Sequence, residues 1–583
     1  MLYCVPQLPR PSSPFLLVSS DGMNRLILHK GLLLLGVGTL LLGAAPLVAQ
    51  SAAAPARRIR TPVSVMGAAL TAARTLASAV GYSAVASPAA PNGSAGVPAA
   101  PPSPGIQFPV RGRGPSRAGL IPQRTVPAPV PGRSVLNWTP TPGGGASAAL
   151  TFGGRALGAR VFPGVPTSMR LPIPSIGGLH VVQVVDTGTS KIEYFLLQVP
   201  NLGFGSPVEV PLLVAFHGYS VSPYDITINT TFAQEAIARS WYLLAPMGGW
   251  ERNLSSTESQ INHKVALDLV CAVYNIDLDR IYAVGFSMGA GNALNFASRY
   301  TDLRGPRFAG IVNHTGLLAQ EHAYTHAPAN CSTPPCPRTI YHNRYGGSPA
   351  QVPFEYKRAS VAPIPYVVGF PSVPPVDTTQ DFARNLLDIP IRSYVGQNDP
   401  LSELIVQNYA FELYMASLGA DHVLTIVPGV TTHSWNTIDE TSVCNWLATE
   451  SRVTPTQGDT HADRDGRWFY FDLLQQTPGN FSRFAWDYDS MTATLTLDAT
   501  ENVDTLGVDT VLLGLDAAAD FTLILQPGDN TADAIVVQDV PQVPAMVLRD
   551  GISSATWTYD AQNLELRLTE TDSTSAHTWF VDM

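Results

Sequence analysis

One stretch constrains the fold of this 583-residue chain more than any other, because a strand pattern, a Gly-x-Ser-x-Gly pentapeptide and an Ala-rich segment follow one another in it. Its sequence is Ile281-Tyr-Ala-Val-Gly285-Phe-Ser287-Met-Gly289-Ala-Gly-Asn-Ala-Leu-Asn-Phe. This order predicts a strand, a sharp turn and a helix, with Ser287 in a strained backbone conformation at the corner and a glycine two positions away on either side. We therefore expect the hydroxyl group of Ser287 to be exposed, as a nucleophile must be.

A serine hydroxyl attacks only with the help of a base, and that base needs a carboxylate that orients it. A predicted strand that begins near Pro390 ends in a turn with Asp399, and a later predicted strand that begins near Val423 ends in a loop with His433. The order Ser, Asp, His, with each residue on the loop after a later strand, is typical of the α/β-hydrolase arrangement. Ser287, Asp399 and His433 are therefore the candidate catalytic residues.

Two backbone N–H groups are candidates for an oxyanion hole, which must hold the negative charge of a tetrahedral intermediate. An apolar run from Pro211 to Phe216 predicts a central strand that is covered on both faces. It ends in His217-Gly-Tyr219, where the N–H of Tyr219 can face the developing charge. The second candidate donor is the N–H of Met288, directly after the candidate nucleophile. His217 is interpreted as a structural residue of this loop and not as the catalytic base.

Two tryptophans are candidates for contact with a substrate. Trp250 follows a predicted strand in Met247-Gly-Gly-Trp, and such loops are expected at the carboxyl edge of the sheet together with the catalytic loops. Trp435 lies two residues after His433. For Trp250, packing inside the protein is the alternative interpretation.

The region from about Leu179 to Leu447 resembles secreted α/β-hydrolase esterases of the polyhydroxybutyrate-depolymerase and feruloyl-esterase type. The resemblance rests on four motifs: Phe216-His-Gly-Tyr219, Gly285-Phe-Ser-Met-Gly289, Gly396-Gln-Asn-Asp399 and His433-Ser-Trp435. It implies a secreted serine hydrolase that cleaves carboxylic esters through an acyl-enzyme, with no metal or other cofactor. A polyester and an acylated polysaccharide are the candidate polymeric substrates. Peptidases share this arrangement of residues, so the alternatives are a serine peptidase and an inactive binding or adhesion protein on the same scaffold.

Strand patterns alternate with helix patterns between residues 172 and 451, which predicts an α/β domain with a mostly parallel, doubly wound sheet. Regular patterns fail between about 317 and 386, where Pro, Gly and aromatic residues concentrate. We expect this insertion to be a cap over the candidate site, because insertions of this length are usually functional. Its histidines, His322, His326 and His342, lack the spacing of metal ligands, so no metal site is expected.

The last segment, 452–583, is expected to be an all-β, sandwich-like accessory domain with an internal repeat. Two similar segments, Trp486-Asp-Tyr-Asp489 and Trp557-Thr-Tyr-Asp560, are each followed by alternating apolar residues. Each predicts a strand, a turn led by Asp and a second strand. Exposed aromatic residues there would bind a polymer, and tryptophans buried in a core are the alternative. Because no candidate catalytic residue lies in this segment, the catalytic domain is expected to fold without it.

The N-terminal part of the chain has the features of an exported protein. A basic segment from Met23 and an apolar run from Gly31 to Ala49 predict a signal peptide within residues 1–50, and an uncleaved membrane anchor is the alternative. After cleavage we expect no stable insertion into a membrane, and a secreted or periplasmic location. Residues 51–171 are rich in Ala, Pro and Gly and are expected to be a mostly disordered linker.

Charge and cysteine content limit the partners and the compartment. The formal net charge of -10 leaves no basic face for nucleic acid. Cys331 and Cys336 are expected to form a disulfide that closes a short loop, as an oxidising compartment permits. Cys271 and Cys444 either pair with each other or stay as free thiols.

Overall fold

The computed structural model describes residues 139–140, 146–152, 155–161, 178–186, 192–201, 208–328, 336–364, 381–527, 534–570, 572 and 574–583. The chain divides into two compact units, Met1–Ser87 and Pro88–Met583, and all described residues lie in the second. The predicted signal segment, most of the predicted linker and Cys331 lie outside the described residues, so the predicted Cys331–Cys336 disulfide stays a prediction. None of the helices in the described part of the chain is long and apolar enough to cross a membrane.

The described strands are β1 (Thr139–Pro140), β2 (Ala146–Phe152), β3 (Arg155–Val161), β4 (Gly178–Asp186), β5 (Ile192–Val199), β6 (Val210–Phe216), β7 (Tyr242–Pro246), β8 (Ile276–Phe286), β9 (Gly310–His314), β10 (Ile391–Gly396), β11 (His422–Val427), β12 (Gln457–Ala462), β13 (Gly466–Trp468), β14 (Phe471–Gln475), β15 (Ser482–Asp489), β16 (Thr494–Glu501), β17 (Val503–Val508), β18 (Phe521–Leu525), β19 (Ala534–Val537), β20 (Met546–Arg549), β21 (Ile552–Ser553), β22 (Trp557–Asp560), β23 (Glu565–Thr569) and β24 (His577–Asp582). The described α-helices are α1 (Tyr224–Asn229), α2 (Phe232–Arg239), α3 (Thr257–Val273), α4 (Met288–Arg299), α5 (Gln320–His326), α6 (Pro337–Tyr345), α7 (Pro353–Arg358), α8 (Ser402–Ser417), α9 (Glu440–Leu447) and α10 (Thr510–Leu513). Short 3-10 helices lie at Ala383–Leu386 and Trp435–Thr437.

Among the described residues, eleven strands form one mixed sheet in the order β1-β2-β3-β4-β5-β7-β6-β8-β9-β10-β11. From β7 through β6, β8, β9 and β10 to β11, neighbouring strands run parallel. The strands β1 to β5 add an antiparallel extension, which joins the parallel strands where β5 pairs with β7. The sheet therefore agrees with the prediction in its parallel part, which carries the candidate catalytic residues, and is more strongly mixed elsewhere.

The strands β1, β2 and β3 lie inside the segment that the sequence predicts to be a disordered linker, so that prediction is wrong for these strands. Small residues dominate β2 and β3, and neither has the clear alternation of a strand that buries one face. β2 and β3 pair as a hairpin across residues 153–154, and β3 pairs in turn with β4, a more distant contact that the local pattern does not indicate.

The strand β6 shows why the parallel part of the sheet is apolar, since all of its residues are buried. Leu212 and Val214 pack with side chains of α3, α4 and α8 on one face of the sheet. Leu213 and Ala215 pack with side chains of α1, α2 and α9 on the other face. A strand with helices on both faces must be apolar throughout, which is why this run is recognisable in the sequence.

The two described cysteines outside the insertion do not pair. Cys271 and Cys444 are both free. Cys271 packs against the core on one face of the sheet, and Cys444 is buried in the core on the other. The suggested pairing of these two residues is therefore wrong, because the sheet separates them.

The insertion between β9 and β10 contains regular structure that the sequence does not indicate, namely α5, α6, α7 and the 3-10 helix at Ala383–Leu386. These helices are short, and α6 and α7 each begin at a proline, so no periodic apolar pattern extends far enough to be recognised. Tyrosines of α6 and α7 pack together with Leu254 and Met288. The insertion therefore lies beside the residue that follows Ser287.

The last segment forms two sheets, with strand orders β12-β15-β16-β18-β24-β20-β21 and β13-β14-β17-β19-β23-β22. Trp468, Trp486 and Trp579 are buried in one apolar core that both sheets share. Two hairpins of this region repeat the same turn: Asp489 and Asp560 each accept a hydrogen bond from the N–H two residues further on, at 2.9 and 2.8 Å. The tryptophans of this segment thus serve mainly as core residues, which was the alternative to a polymer-binding surface.

A buried carboxylate, Asp463, lies where the C-terminal sheets meet the α/β part of the chain. It receives the guanidinium groups of Arg299 at the end of α4 (2.5 Å) and of Arg358 at the end of α7 (2.8 Å). The neighbouring Arg464 contacts its other oxygen at 2.7 Å. Burial raises the pKa of Asp463, but the three positive charges outweigh burial and hold the pKa well below its ordinary value. Arg299 is itself only 1% exposed, so this ion pair is sealed from solvent.

Apolar and amide contacts extend the same junction. The ring of Phe382 stacks on that of Trp468, with 6.3 Å between the ring centroids. The side-chain amide of Asn385 donates to the carbonyl groups of Ser298 and His461, at 2.8 Å each. These contacts argue against the expectation that the catalytic domain folds without residues 452–583.

We predict that a chain shortened to end at Ser451 forms inclusion bodies or unfolds at a much lower urea concentration than the full chain. The shortened chain would bury Arg299 without its carboxylate and would expose Phe382, and a buried charge without a partner is strongly destabilising. Soluble yield and urea unfolding followed by circular dichroism measure this. A shortened chain as soluble and as stable as the full chain would contradict it.

We predict that Asp463→Ala in the full chain lowers the free energy of unfolding by about 3 kcal/mol, because three arginines lose a buried partner. The matched control is Asp421→Ala, which removes the largely exposed partner of Arg392 and should change the free energy of unfolding by about 0.5 kcal/mol or less. Urea unfolding of both variants measures the difference. Equal effects of the two substitutions would show that the junction does not depend on Asp463.

Candidate active site

Ser287 lies at the corner between β8 and α4 in a backbone conformation that non-glycine residues rarely adopt, with φ 56° and ψ -120°. Its N–H donates to the carbonyl of His314 at 2.8 Å, which ties the corner to β9. A Cβ atom on Gly285 would lie 2.3 Å from the carbonyl oxygen of Gly289, and one on Gly289 would lie 2.2 Å from that of Phe216. Both glycines are therefore required by the close packing of the corner. The expectation of an exposed Ser287 is not met, because the residue is only 7% exposed.

His433 lies on the loop after β11, where it contacts Asp399 and the ring of the residue before Ser287. Its Nδ1 lies 2.8 Å from Oδ2 of Asp399, a carboxylate that is buried at the end of β10. Its ring packs on that of Phe286, the residue before Ser287, with 4.5 Å between the centroids. Within the described residues, Nε2 of His433 is buried and has no hydrogen-bond partner. This nitrogen faces away from Asp399 and is thus free to accept a proton.

Two aspartates near the end of the α/β part differ in what they contact. Asp399 bonds His433 through one oxygen and accepts the N–H of Leu401 through the other, at 2.9 Å. Asp439 instead caps the first turn of α9, where it accepts the N–H groups of Thr441 and Ser442. The geometry therefore associates Asp399, and not Asp439, with the histidine.

The two candidate oxyanion donors lie on the loops that the sequence indicates. Among the described residues, neither the N–H of Tyr219 nor that of Met288 donates a hydrogen bond. His217 fixes the first loop, because its Nδ1 lies 2.8 Å from the carbonyl oxygen of Gly218 and its Nε2 lies 3.0 Å from that of Met247. His217 thus has the structural position that the sequence suggests.

The two candidate substrate-binding tryptophans have different environments. Trp435 is 4% exposed, its Nε1 donates to Asp225 at 2.8 Å, and its ring packs on Phe286. The structure thus places Trp435 in the core behind the base and not at a surface open to substrate. Trp250 is 38% exposed, and the guanidinium group of Arg344 from the insertion covers its ring at 3.9 Å. Trp250 is therefore open to solvent, and its contact with a substrate stays a prediction.

A buried glutamate that the sequence analysis missed holds the loop of Trp250. Glu193 in β5 is 3% exposed, and its carboxylate accepts the N–H groups of Met247, Gly248 and Gly249, at 2.9, 2.7 and 2.7 Å. Burial raises the pKa of Glu193 to about 8, although the three N–H groups act in the opposite direction. The sequence does contain an indication of this role, because Glu193 is the one charged residue of β5. A charged residue is rarely buried unless it has a partner.

A second histidine, His314, packs on the same ring of Phe286 as His433. His314 lies close by, with its ring 4.8 Å from that of Phe286, and burial together with the charge of His433 lowers the pKa of His314 to about 3. His314 is therefore neutral near pH 7 and adds no second positive charge beside His433. Among the described residues, no group of three or more His, Cys, Asp or Glu side chains is arranged to hold a metal ion.

A second set of Ser, His and acid side chains lies deeper in the same sheet. Oγ of Ser393 lies 2.7 Å from Nε2 of His422, whose Nδ1 lies 2.8 Å from Oε2 of Glu412. Ser393 is completely buried inside β10 and accepts a hydrogen bond from the amide of Asn313 at 2.8 Å. This set has no access for a substrate and is a structural network.

No protein-family model matches the chain, and no curated protein matches it. Similar solved structures include a fluorophosphonate-binding serine hydrolase of Staphylococcus aureus, 13% identical, with a TM-score of 0.34 over 47% of this chain and 99% of that one. An S-formylglutathione hydrolase of Agrobacterium tumefaciens is 15% identical, with a TM-score of 0.34 over 48% and 98% of the two chains. The poly(3-hydroxybutyrate) depolymerase LpqC of Bordetella parapertussis is 14% identical, with a TM-score of 0.29 over 44% and 85%. These solved proteins are serine hydrolases and esterases.

We predict that Glu193→Gln destabilises the protein more at low pH than at high pH. The pKa of Glu193 is raised from 4.5 to about 8, so the folded state binds more protons than the unfolded state between these values, and the wild type loses stability as pH rises through that window. The variant lacks this dependence. The difference in free energy of unfolding between wild type and variant should shrink between about pH 5 and about pH 9. A difference that grows with pH would show that the three N–H groups keep Glu193 ionised.

Proposed function

We propose that this protein is a serine hydrolase of the α/β-hydrolase fold that cleaves carboxylic esters. The observation that carries the proposal is the position of Ser287 in a strained, positive-φ backbone conformation at the end of β8, directly after Phe286, whose ring packs on a histidine that is hydrogen-bonded to a buried carboxylate. A backbone strained in this way is typical of nucleophiles at the strand-to-helix corner. The amino-acid pattern of the N-terminal segment supports a secreted or periplasmic location.

In this proposal Oγ of Ser287 attacks the acyl carbon while Nε2 of His433 takes the proton of the hydroxyl group. The resulting imidazolium then gives that proton to the leaving alcohol, which departs as the C–O bond breaks. Asp399 holds the ring through Nδ1 and stabilises its positive charge, a role that suits a carboxylate that is buried and 2.8 Å away. A water molecule, activated by the same histidine, hydrolyses the acyl-enzyme and restores Ser287.

The N–H groups of Tyr219 and Met288 are the proposed donors to the oxyanion of the tetrahedral intermediate. Support comes from their freedom from other hydrogen bonds among the described residues and from the fixed loop that His217 creates. A donor of this kind stabilises the transition state by about 3 kcal/mol in comparable sites, because it needs no reorganisation when the charge develops. No metal or organic cofactor takes part in these steps.

The C-terminal region bears on the size of the substrate. In its described part, the large apolar side chains that are exposed are Val, Leu, Met and Ile, whereas its tryptophans at 468, 486 and 579 are buried. An enzyme that grips an insoluble polymer usually presents aromatic rings to it. We therefore propose a small ester as the substrate, with residues 452–583 acting as a support for the α/β part.

We predict that Ser287→Ala and His433→Ala each lower kcat/KM for p-nitrophenyl butyrate by about 10⁴-fold or more, and that Asp399→Asn lowers it by about 10³- to 10⁴-fold. Hydrolysis is followed by release of p-nitrophenol, and unfolding curves check that the variants are folded. The matched control is Ser393→Ala, which removes the serine of the buried second set and should leave kcat/KM within about threefold of the wild type.

Two results would contradict the assignment of these residues. Ser287→Ala with more than a few percent of wild-type activity would exclude Ser287 as the nucleophile. If Asp439→Asn lowers kcat/KM more than Asp399→Asn does, Asp399 is not the carboxylate that orients His433. A series of p-nitrophenyl esters of increasing chain length, measured beside a polyester film, would then define the acyl group and test the proposal of a small substrate.

A further inference from the structure

Two arginines lie at the rim of the candidate site without an ionic partner. Most arginines in the described part of the chain contact a carboxylate, whereas Arg252 and Arg344 form no ion pair with any described residue. Both side chains are partly buried.

Both guanidinium groups are held on aromatic rings that border the candidate oxyanion site. Arg252 lies over the ring of Tyr219, 5.5 Å from its centroid, and Arg344 lies over the ring of Trp250 at 3.9 Å. Nε of Arg252 donates to Oγ of Ser220 at 2.7 Å, and Nε of Arg344 donates to the carbonyl oxygen of Arg252 at 2.8 Å. In each guanidinium group, one face is covered by an aromatic ring and Nε is used in a hydrogen bond. The terminal N–H groups are left for a ligand.

The segment that carries Arg252 is built against the corner of Ser287. The hydroxyl group of Tyr345, next to Arg344, donates to the carbonyl of Leu254, and the N–H of Leu254 lies 3.4 Å from the sulfur of Met288. Tyr219 and Met288 are the proposed oxyanion donors. The two arginines are thus attached directly to the loops that would surround the reacting carbonyl group.

The electrostatics favour an anion at this place. Burial lowers the pKa of Arg344, and the nearby Glu258 only partly opposes this effect. Arg344 therefore keeps a desolvation cost that Glu258 does not offset fully, and an incoming anion would relieve that cost. The planar fork of an arginine fits the two oxygens of a carboxylate, and two arginines side by side increase the attraction.

We propose that Arg252 and Arg344 bind a carboxylate group of the substrate, so that the enzyme prefers esters that carry a free acid in the acyl or in the alcohol part. Half-esters of dicarboxylic acids and acyl esters of hydroxy-acids are the corresponding substrate classes. This inference rests on the proposed function, because it concerns the specificity of the same site.

The test compares two pairs of esters of matched size. The first pair is 4-nitrophenyl hydrogen glutarate and 4-nitrophenyl pentanoate, with the acid in the acyl part. The second is 4-butyryloxybenzoate and 4-butyryloxybenzamide, with the acid in the alcohol part. We expect the ratio of kcat/KM, acid over neutral, to exceed one for at least one pair in the wild type. Arg344→Gln should lower that ratio about tenfold, and Arg344→Lys should lower it less.

A matched control separates recognition of charge from support of the fold. Arg392 also stacks on a tryptophan, Trp446, at 4.9 Å, but it begins from β10 and pairs with Asp421. Arg392→Gln should leave the ratio unchanged. Added NaCl should lower the ratio of the wild type, because salt screens a partly exposed ion pair, and this measurement needs no variant.

The outcomes separate the two proposals. In one outcome hydrolysis depends on Ser287, but neither Arg344→Gln nor NaCl changes the acid-to-neutral ratio of kcat/KM for either pair. This result would overturn the role of the arginines and leave the esterase proposal intact. Equal losses on acid and neutral esters in Arg344→Gln and Arg344→Lys would show that Arg344 only supports the loop, and would also overturn it. No hydrolysis of any of these esters that depends on Ser287 would overturn both proposals together.

Discussion

The close approach of the first turn of α4 to the end of β6 is the constraint on which the candidate site depends. A side chain at Gly289 would collide with the backbone of Phe216, so the approach is possible only with glycine at that position. The approach sets Met288 beside the loop of Tyr219 and forces Ser287 into a left-handed conformation. One steric requirement therefore positions both the candidate nucleophile and the two candidate oxyanion donors.

The other end of α4 is fixed by charge and not by shape. Arg299 ends the helix and is buried against Asp463, which also receives Arg358 from the insertion. A single carboxylate from the C-terminal region thus contacts two helices. One is α4, which begins after Ser287, and the other is α7 of the insertion. Buried ion pairs of this kind add little net stability compared with apolar packing, but they do not tolerate loss of one partner. For this reason we expect the C-terminal sheets and the α/β part of the chain to fold together and not independently.

The features that the sequence predicts are those that depend on local patterns. The corner at Ser287, the apolar strand β6 and the loops of Asp399 and His433 each have a pattern within a few residues of one another. The features that it misses depend on distant partners: the carboxylate of Glu193 bonds a loop more than fifty residues later, and Arg344 stacks on a tryptophan from another loop. The prediction that Trp435 contacts a substrate failed for the same reason. The position of Trp435 two residues after His433 does not indicate whether the tryptophan ring is buried or exposed.

The two sets of Ser, His and acid side chains show which property separates a candidate catalytic site from a structural network. Judged by distances alone, the buried set is the more complete, since Ser393 and His422 are 2.7 Å apart and Nε2 of His433 has no partner among the described residues. Ser393, however, lies in a regular strand with its hydroxyl group enclosed by Asn313 and His422. Ser287 has a strained backbone and unused N–H donors nearby, and its histidine keeps one nitrogen unbonded. Hydrogen bonds that are already satisfied stabilise a fold, whereas chemistry needs groups that the fold holds in place and leaves unsatisfied until a substrate arrives.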